Sequence, residues 1–486
     1  MMTRKEQWFS YLFRWEGELD RLPYLITGTV LLGIKYNIDR AIAWFGFNRS
    51  WSLTEYFWPG KTIDVLLTSK GEQAFFGTLI AASLPFIWIG VVLTLRRMRA
   101  AKLPLWLVKL FFLPFVNLIM FLVLCLFPSR PEVDPFEKHQ KEVQEQKEKE
   151  HWLHDASEGK LASAMKAILL PLPIAGLFIY FGVMTLKTYG WGIFLGVPFV
   201  QGMTSAMLYA RSVKRGLWES ILVGISAVSG LGFLLFLFAF EGVICLLMAA
   251  PIMLALGMMG ALLGWALQKT NPQRAESVNI MLAISLSVPL LMGAEWAVLP
   301  EAPTFSVTTS VDIKAPPEVV WHNVVSFCKL PPPRDWLFKT GIAYPMYARI
   351  DGRGPGAIRH CVFSTGEFVE PITVWDEPRV LRFDVSAQPK AMRELAIVPD
   401  ANPPHLDNYL LSKQGEFHLV RMPDGNTHLE GTTWYQHHMY PSEYWRMWSD
   451  FILHRIHKRV LDHVKVLSER ENGRSEGFGI EPRRSL

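Results

Sequence analysis

The chain has 486 residues, of which 50% are apolar and 19% are charged, and its formal net charge is +5 at pH 7. Because an average soluble domain has roughly 25% charged residues, this composition indicates a membrane protein, and the length allows two or more domains. The positive charges are spread over several loops and the C-terminal tail, which argues against nucleic acid as a partner.

Eight apolar segments are candidates for crossing a bilayer core, which takes about 20 helical residues. They are residues 22–36, 74–95, 103–127, 165–186, 191–210, 217–240, 243–267 and 278–299. We predict six of them as membrane spans, because they are long and nearly uncharged. The first is interrupted by Lys35 and the third by Pro114, so the third is a re-entrant hairpin, a pair of half-helices or a single span.

The N-terminal block shows a resemblance to a known family. The aromatic-rich start WFSYLFRWEGELDRLPYLI and the later run beginning LRRMRAAKLPLW resemble the DUF805 family of small bacterial inner-membrane proteins. The matching residues are Trp15, Gly17, Asp20, Arg21, Arg96 and Arg97. Arg99 and Ala100 stand where the family has His-Asp. The resemblance covers about residues 8–135 and implies a bacterial inner-membrane location without implying an activity.

Lysine and arginine in short loops favour the cytoplasmic side. This rule places the N-terminus and the basic loops 96–102, 211–215 and 269–274 inside. If segment 103–127 is re-entrant, the C-terminal domain is periplasmic, which is the preferred interpretation. If that segment spans the membrane, the C-terminal domain is cytoplasmic and one block violates the rule.

Residues 128–162 form a charged linker between a DUF805-like block, 1–127, and a five-span block, 163–300. The stretch FEKHQKEVQEQKEKEHW within it pairs Glu with Lys at helical spacing, which predicts a solvated helix. Apolar residues at coiled-coil a and d positions are missing, so a spacer is favoured over a partner-binding coiled coil. No protein partner is predicted.

Residues 303–470 alternate apolar and polar residues in short runs, which predicts strands. The predicted order is a strand, a short helix, six antiparallel strands and a long helix from 442 to 470. The opening VTTSVDIKAPPEVVWHNVVSF and the closing WRMWSDFILHRIHKRVLDHVKVLSE resemble the START-like or SRPBCC superfamily, which includes Bet v 1 and the polyketide cyclase/lipid transport proteins. The resemblance implies an α+β helix-grip fold, an antiparallel sheet wrapped on a long C-terminal helix, with a cavity for one hydrophobic molecule. Residues 471–486 are predicted to be a disordered tail.

Several large side chains of this domain are candidates for lining such a cavity, although any single aromatic residue more commonly belongs to an ordinary core. The aromatic candidates are Phe363, Trp375, Phe383, Trp434, Tyr444 and Trp448, with Tyr435, Phe451 and Ile452 as further members. Polar candidates for fixing a ligand are His360 and Glu367, with Glu370, Arg382 and Glu416 as further members, and for each a solvated strand face is the commoner role.

Asp450, His454 and His457 share one face of the closing helix at spacings suited to a metal. An amphipathic helix is the simpler interpretation, so no metal is predicted. Phosphate-binding glycine loops and catalytic motifs are missing from the sequence, so no cofactor is predicted. For an enzyme, pocket residues such as His360 or Glu367 would serve as acid and base.

Three functions remain open. The first is the binding, carrying or sensing of a lipid or another hydrophobic small molecule beside the membrane lipids. The second is a cyclase or hydratase type of enzyme acting on a hydrophobic substrate, and the third is a transporter built on the five-span block. The superfamily contains binders and enzymes alike, so its resemblance does not separate the first from the second.

Overall fold

A computed structural model describes residues 11–51, 70–112, 116–127, 129, 159–211, 213–270, 274–297, 302–395, 403, 406 and 410–477. The chain divides into two compact units. The helical unit is Met1–Leu234 with Ala249–Leu299, and the C-terminal unit is Leu235–Met248 with Pro300–Leu486. Most of the predicted linker lies outside the described residues, so its helix stays a prediction.

Long apolar helices make up the helical unit. They are α1 (Arg21–Ala41), α2 (Lys70–Ala100), α3 (Val116–Leu126), α4 (Lys160–Leu169), α5 (Leu172–Tyr180), α6 (Val197–Tyr209), α7 (Leu217–Leu237), α8 (Val243–Thr270) and α9 (Arg274–Ala297). The last residues of α7 and the first residues of α8 belong to the C-terminal unit.

Among the described residues, five helical segments are long and apolar enough to cross a membrane. They are Gln73–Ala100, Lys160–Thr185, Gly192–Tyr209, Leu217–Leu237 and Val243–Lys269. These match five of the six predicted spans. The sixth falls in α9, which begins with the polar run RAESVN, so that its apolar part is only Met281–Ala297.

Two weaker segments are also visible. In α1, Lys35 forms a buried ion pair with Asp39 one turn later, so the charge that interrupts the apolar run is neutralised within the helix. Segment 103–127 contains a 3-10 helix, Leu105–Phe112, followed by α3. Its described residues are thus two short helices in place of one straight span, while Pro114 lies outside the described residues.

The C-terminal unit is a seven-stranded antiparallel sheet in the order β1-β7-β6-β5-β4-β3-β2. Its strands are β1 (Thr304–Ile313), β2 (Pro345–Asp351), β3 (Ile358–Phe363), β4 (Gly366–Asp376), β5 (Val380–Asp384), β6 (Leu410–Arg421) and β7 (Thr427–His437). Its helices are α10 (Pro317–Val325), α11 (Trp336–Lys339) and α12 (Ser442–Gly477). The sheet wraps around α12, as the helix-grip prediction requires.

Alternation along the strands explains this arrangement. In β1, Phe305, Thr309 and Ile313 are buried while the residues beside them are exposed, so one face of the strand lies under α12. Trp321 of α10 and Leu461 of α12 join the same core. The helix α12 continues to Gly477, beyond its predicted end, and the rest of the predicted tail lies outside the described residues.

The C-terminal unit also includes a segment that the sequence assigned to membrane spans. Ile244 and Cys245, at the start of α8, are buried against Leu337, Phe338 and Met392. The backbone N–H of Val243 donates to the carbonyl of Leu395 at 3.1 Å. The C-terminal unit therefore has a second packing cluster, formed with the start of α8, besides the core under its sheet.

Candidate functional site: a cavity between the sheet and the closing helix

A cavity of about 110 Å³ lies between the curved sheet and α12. Four aromatic rings line it from the strands, and an aliphatic stripe lines it from the helix. The rings are those of Phe363, Phe368, Phe383 and Phe417, and the stripe is formed by Leu453, Ile456, Val460 and Leu461. The site is therefore lined mainly by apolar side chains, as ligand pockets generally are.

Two glycines make room for two of these rings. Phe383 of β5 is the register partner of Gly415 in β6, and Phe417 of β6 is the register partner of Gly431 in β7. A Cβ atom at Gly415 would lie 2.5 Å from the Phe383 ring, whereas one at Gly431 would lie 3.6 Å from Phe417 and from Leu461. Each ring lies over a strand position that has no side chain, and Gly431 itself lines the cavity.

A buried ion pair forms part of the cavity wall. Arg359 of β3 pairs with Glu370 of β4, its direct register partner. The Arg359 guanidinium carbon lies 5.3 Å from the centre of the Phe383 ring and 5.6 Å from that of Phe417, within cation–π range. The two charges compensate each other, so the wall presents little net charge. Burial raises the pKa of the adjacent Cys361 thiol to about 12, which keeps it neutral.

Histidine 457 brings a hydrogen-bonding group to the cavity. Its Nε2 lies 2.8 Å from Oγ1 of Thr433, another lining residue, and its Nδ1 lies 3.2 Å from Oγ1 of Thr309. The same Thr309 oxygen lies 2.9 Å from Nδ1 of His454. Burial, and next the neighbouring His454, lower the pKa of His457 to about 4, so its imidazole is neutral at pH 7.

Two of the predicted aromatic residues, Phe363 and Phe383, line the cavity. Trp375 lies outside it, edge-on to Trp321 at 5.6 Å, with its Nε1 donating to Glu377. Trp434 and Trp448 are also not lining residues. A part in ligand binding for the three tryptophans stays a prediction.

Among the other candidates, the Tyr444 hydroxyl donates to the Met248 carbonyl, away from the lining residues. His360 lies between Asp351 and Glu367, at 3.4 and 3.5 Å, on a part of the sheet that does not line the cavity. Of the further polar candidates, Glu370 and Glu416 do line it. Arg382 pairs with Glu416.

The sequence reasoning missed Phe368, Phe417, Arg359 and the role of His457. The alternation in β3 contained a signal for Arg359, since Cys361 and Phe363 point to the core and a residue two positions earlier faces the same way. The signal was weak because a lone arginine in a strand is usually solvated.

The metal candidates on α12 form hydrogen bonds with other side chains. Asp450 accepts from the Tyr435 hydroxyl at 2.5 Å and from Arg446 at 3.3 Å, while His454 and His457 bond to threonines. Within the described part of the chain, no group of three or more His, Cys, Asp or Glu side chains is placed to hold a metal ion.

The fold and cavity define a helix-grip domain joined to a unit of long apolar helices. No family model matches the chain, so the DUF805 resemblance stays a prediction. No curated protein matches it either.

Solved structures similar to part of the chain include the following three. A norcoclaurine synthase mutant from Thalictrum flavum has 14% identity and a TM-score of 0.25, over 35% of this chain and 98% of that one. The Zhui aromatase/cyclase from Streptomyces sp. R1128 has 15% identity and a TM-score of 0.25, over 35% and 96%. The di-domain ARO/CYC BexL has 14% identity and a TM-score of 0.24, over 40% and 63%. The likeness concerns the fold alone.

Proposed function

We propose that this protein is a membrane-anchored binder of a hydrophobic small molecule, which it carries or senses. The observation that supports this function is the cavity under α12, lined by four phenylalanine rings and an aliphatic helix face. Its charged members are all paired, Arg359 with Glu370 and Glu416 with Arg382. An apolar molecule that enters this space gains free energy by leaving water, and its binding does not require the desolvation of an unpaired charge in the wall.

The size of the cavity bears on the ligand. An engineered apolar cavity of about 150 Å³ binds benzene, and ordinary ligand pockets measure about 300–1,000 Å³. At about 110 Å³ the cavity matches roughly one ring or a short branched chain. The proposed ligand is therefore a small apolar molecule, or the apolar end of a longer one such as a lipid, for which the cavity must widen.

The five apolar helices support anchoring in a membrane. Anchoring raises the effective concentration of the cavity beside the bilayer, where apolar ligands collect. In the proposed topology the C-terminal unit is periplasmic in a bacterial inner membrane. This is supported by the sequence: the turn 238–242 between α7 and α8 contains no Lys or Arg, whereas the loops 211–215 and 269–274 are basic.

The test uses the full chain, purified in lipid nanodiscs and extracted for mass spectrometry. We expect a reproducible co-purifying hydrophobic molecule at near-stoichiometric amount. The same preparation is titrated with 4-fluorotoluene, a one-ring apolar probe, and saturable binding is followed by ¹⁹F NMR. A Gly431→Leu variant, which fills the space beside Phe417 and Leu461, should lose both the molecule and the probe.

A matched control is Ser306→Val, which adds volume on the exposed face of β1. It should retain binding. A well-folded parent chain that contains no such molecule and does not bind 4-fluorotoluene would rule out the binding function, and so would a Gly431→Leu variant that binds as the parent does.

A second function, the cyclase or hydratase type of enzyme, is favoured by one observation. The neutral imidazole of His457 and the hydroxyl of Thr433 meet at the cavity wall, where a general acid or base would be needed. It would be tested by following the identified ligand for turnover in the parent chain and in His457→Gln. The transporter stays a prediction from the sequence.

A further inference from the structure

Four side chains form a continuous hydrogen-bonded chain from the solvent to the cavity. His454 is exposed on α12, and its Nδ1 contacts Oγ1 of Thr309, which is buried in β1. Thr309 contacts Nδ1 of His457, and Nε2 of His457 contacts Oγ1 of Thr433 at the cavity. The three distances of 2.9, 3.2 and 2.8 Å are all within hydrogen-bond range.

The shared Thr309 hydroxyl couples the two histidines. It has one proton, so it can donate to only one of the two Nδ1 atoms and must accept from the other. When both rings are neutral, one of His454 and His457 therefore holds its proton on Nδ1 and the other on Nε2. The tautomer of the buried ring is set by that of the exposed ring.

The state of His457 in turn sets the role of Thr433. If His457 is protonated on Nε2, it donates to Thr433, whose own proton is then available to a molecule in the cavity. If His457 is protonated on Nδ1, Thr433 donates to Nε2, and its oxygen faces the cavity as an acceptor. The cavity wall can thus present a donor or an acceptor at the same atom.

We propose that His454, Thr309, His457 and Thr433 form a proton relay that exchanges protons between bulk water and a molecule bound in the cavity. The relay goes beyond binding, and it rests on the proposed function only for the molecule at its inner end. That molecule would be an apolar compound with a basic or enolisable oxygen or nitrogen, such as a ketone or a phenol.

The transfer conserves protons and leaves the charge of the chain unchanged. A solvent proton adds to Nε2 of His454, whose Nδ1 proton moves to Thr309. The Thr309 proton moves to Nδ1 of His457, whose Nε2 proton moves to Thr433, and the Thr433 proton moves to the ligand. One proton enters, one leaves, and both rings end in the opposite tautomer with no net charge on the chain. The reverse sequence takes a proton from the ligand and restores the first state.

Few charged groups act on the inner end of this relay. From α12 only His454 influences the pKa of His457. The other titratable groups that line the cavity, from β3, β4 and β6, are Arg359, Cys361, Glu370 and Glu416. Arg359 and Glu370 are paired, Glu416 pairs with Arg382, and Cys361 is neutral. Both carboxylates among these groups are therefore held in ion pairs, so neither is a free proton source that would replace the relay.

The test measures exchange of the His457 ring proton with water in the full chain, labelled with ¹⁵N-histidine in nanodiscs and freed of ligand. At pH 7 we expect His454 and His457 to hold their protons on opposite nitrogens. In Thr309→Val and in His454→Gln, exchange at His457 should slow by about tenfold or more, because it then needs local opening of the fold. Thr309→Ser should restore the parent rate.

Thr308→Val is the matched control, since it removes a hydroxyl hydrogen bond on the outer face of the same strand, and it should leave the exchange rate unchanged. His454→Gln changes an exposed residue and serves as the test if Thr309→Val fails to fold. Equal exchange rates in the parent, Thr309→Val and His454→Gln would overturn the relay. Because the protein is free of ligand, this outcome is independent of whether the binding function holds.

Discussion

Arg359 and Glu370 face each other across β3 and β4 and form an ion pair in which the two side chains are only 2% and 7% exposed. Arg359 is further held by the Val325 carbonyl at 3.3 Å and by the surrounding aromatic rings. Removing charges from water is costly, so such a pair is stable only while both partners remain. It ties β3 to β4, near the β2 edge of the sheet, at the wall of the cavity.

Glu370→Gln should lower the free energy of unfolding of the C-terminal unit by about 3–5 kcal/mol, because Arg359 then remains buried without its counter-charge. Hydrogen exchange of the β3 and β4 amides would measure this. The control is Glu318→Gln, since Glu318 and its partner Arg421 are 59% and 51% exposed, and its effect should stay below about 1 kcal/mol. Similar losses in the two variants would contradict this account of the pair.

The stability of the C-terminal unit should fall in acid because of two histidines, His437, which is fully buried, and His457, which is partly buried. Burial lowers the pKa of His437 and of His457 to about 4, whereas an unfolded histidine has a pKa of about 6.5. The unfolded state therefore binds protons first as the pH falls. The free energy of unfolding is therefore unaffected by these two groups above about pH 6.5 and falls progressively down to about pH 4. The fall is up to about 3 kcal/mol for His437 and less for the partly buried His457.

Hydrogen exchange of the β7 amides between about pH 7 and pH 4, corrected for intrinsic exchange, would measure this loss. In His437→Phe, which preserves the stacking on Phe305 at 5.1 Å, the acid-induced loss should become clearly smaller. An unchanged pH dependence in this variant would show that other groups cause the acid sensitivity.

Local patterns predicted the strands and helices of the C-terminal unit, and the resemblance to the START-like superfamily implied their helix-grip arrangement. Strands are recognisable where apolar and polar residues alternate, as in β1, and the placement of Phe363 and Phe383 followed from the same rule. The alternation predicts this strand only from Gly415, whereas β6 begins at Leu410, because the polar residues around a register shift between Ser412 and Gln414 interrupt the pattern. A β-bulge depends on the partner strand, which a local pattern does not contain.

Contacts between distant parts of the chain could not be predicted. Residues 243–248 have the composition of a membrane span, yet Cys245 donates to Glu394 at 2.7 Å within the C-terminal unit. The hydrogen bonds of Thr309 with His454 and His457 likewise join residues about 150 positions apart. Helical spacing places His454 and His457 on one face of α12. Only the packing of β1 against α12 in the structure shows that Thr309 hydrogen-bonds to both.

The packing of the α8 start against the C-terminal unit leads to a further prediction. Ile244 is 8% exposed and belongs to the cluster with Leu337 and Phe338, whereas Leu247 is 60% exposed. Ile244→Ala should destabilise this cluster by about 2–4 kcal/mol, through lost burial and the cavity left behind. Hydrogen exchange of the α11 amides would detect it. Leu247→Ala should change the same amides by less than about 0.5 kcal/mol, and an equal effect would show that Ile244 has no special role.

Close backbone packing at a glycine in the helical unit predicts that a change to alanine destabilises the protein there, the reverse of its usual effect in a helix. A Cβ atom at Gly260 of α8 would lie 1.9 Å from the carbonyl oxygen of Phe199 in α6, so the two backbones approach directly. A glycine-to-alanine change in a helix normally stabilises it by up to about 1 kcal/mol. At Gly260 the opposite should occur, because the methyl group meets rigid backbone and the two helices must separate.

The comparison is with Gly232→Ala in α7, where a Cβ atom would meet nothing within 4 Å. Thermal unfolding of the full chain in detergent, followed by near-ultraviolet circular dichroism, should give a lower midpoint for Gly260→Ala and an equal or higher midpoint for Gly232→Ala. The two changes are chemically identical and differ only in the space around the new methyl group. Equal midpoints would therefore mean that α6 and α8 do not depend on this backbone contact for their packing.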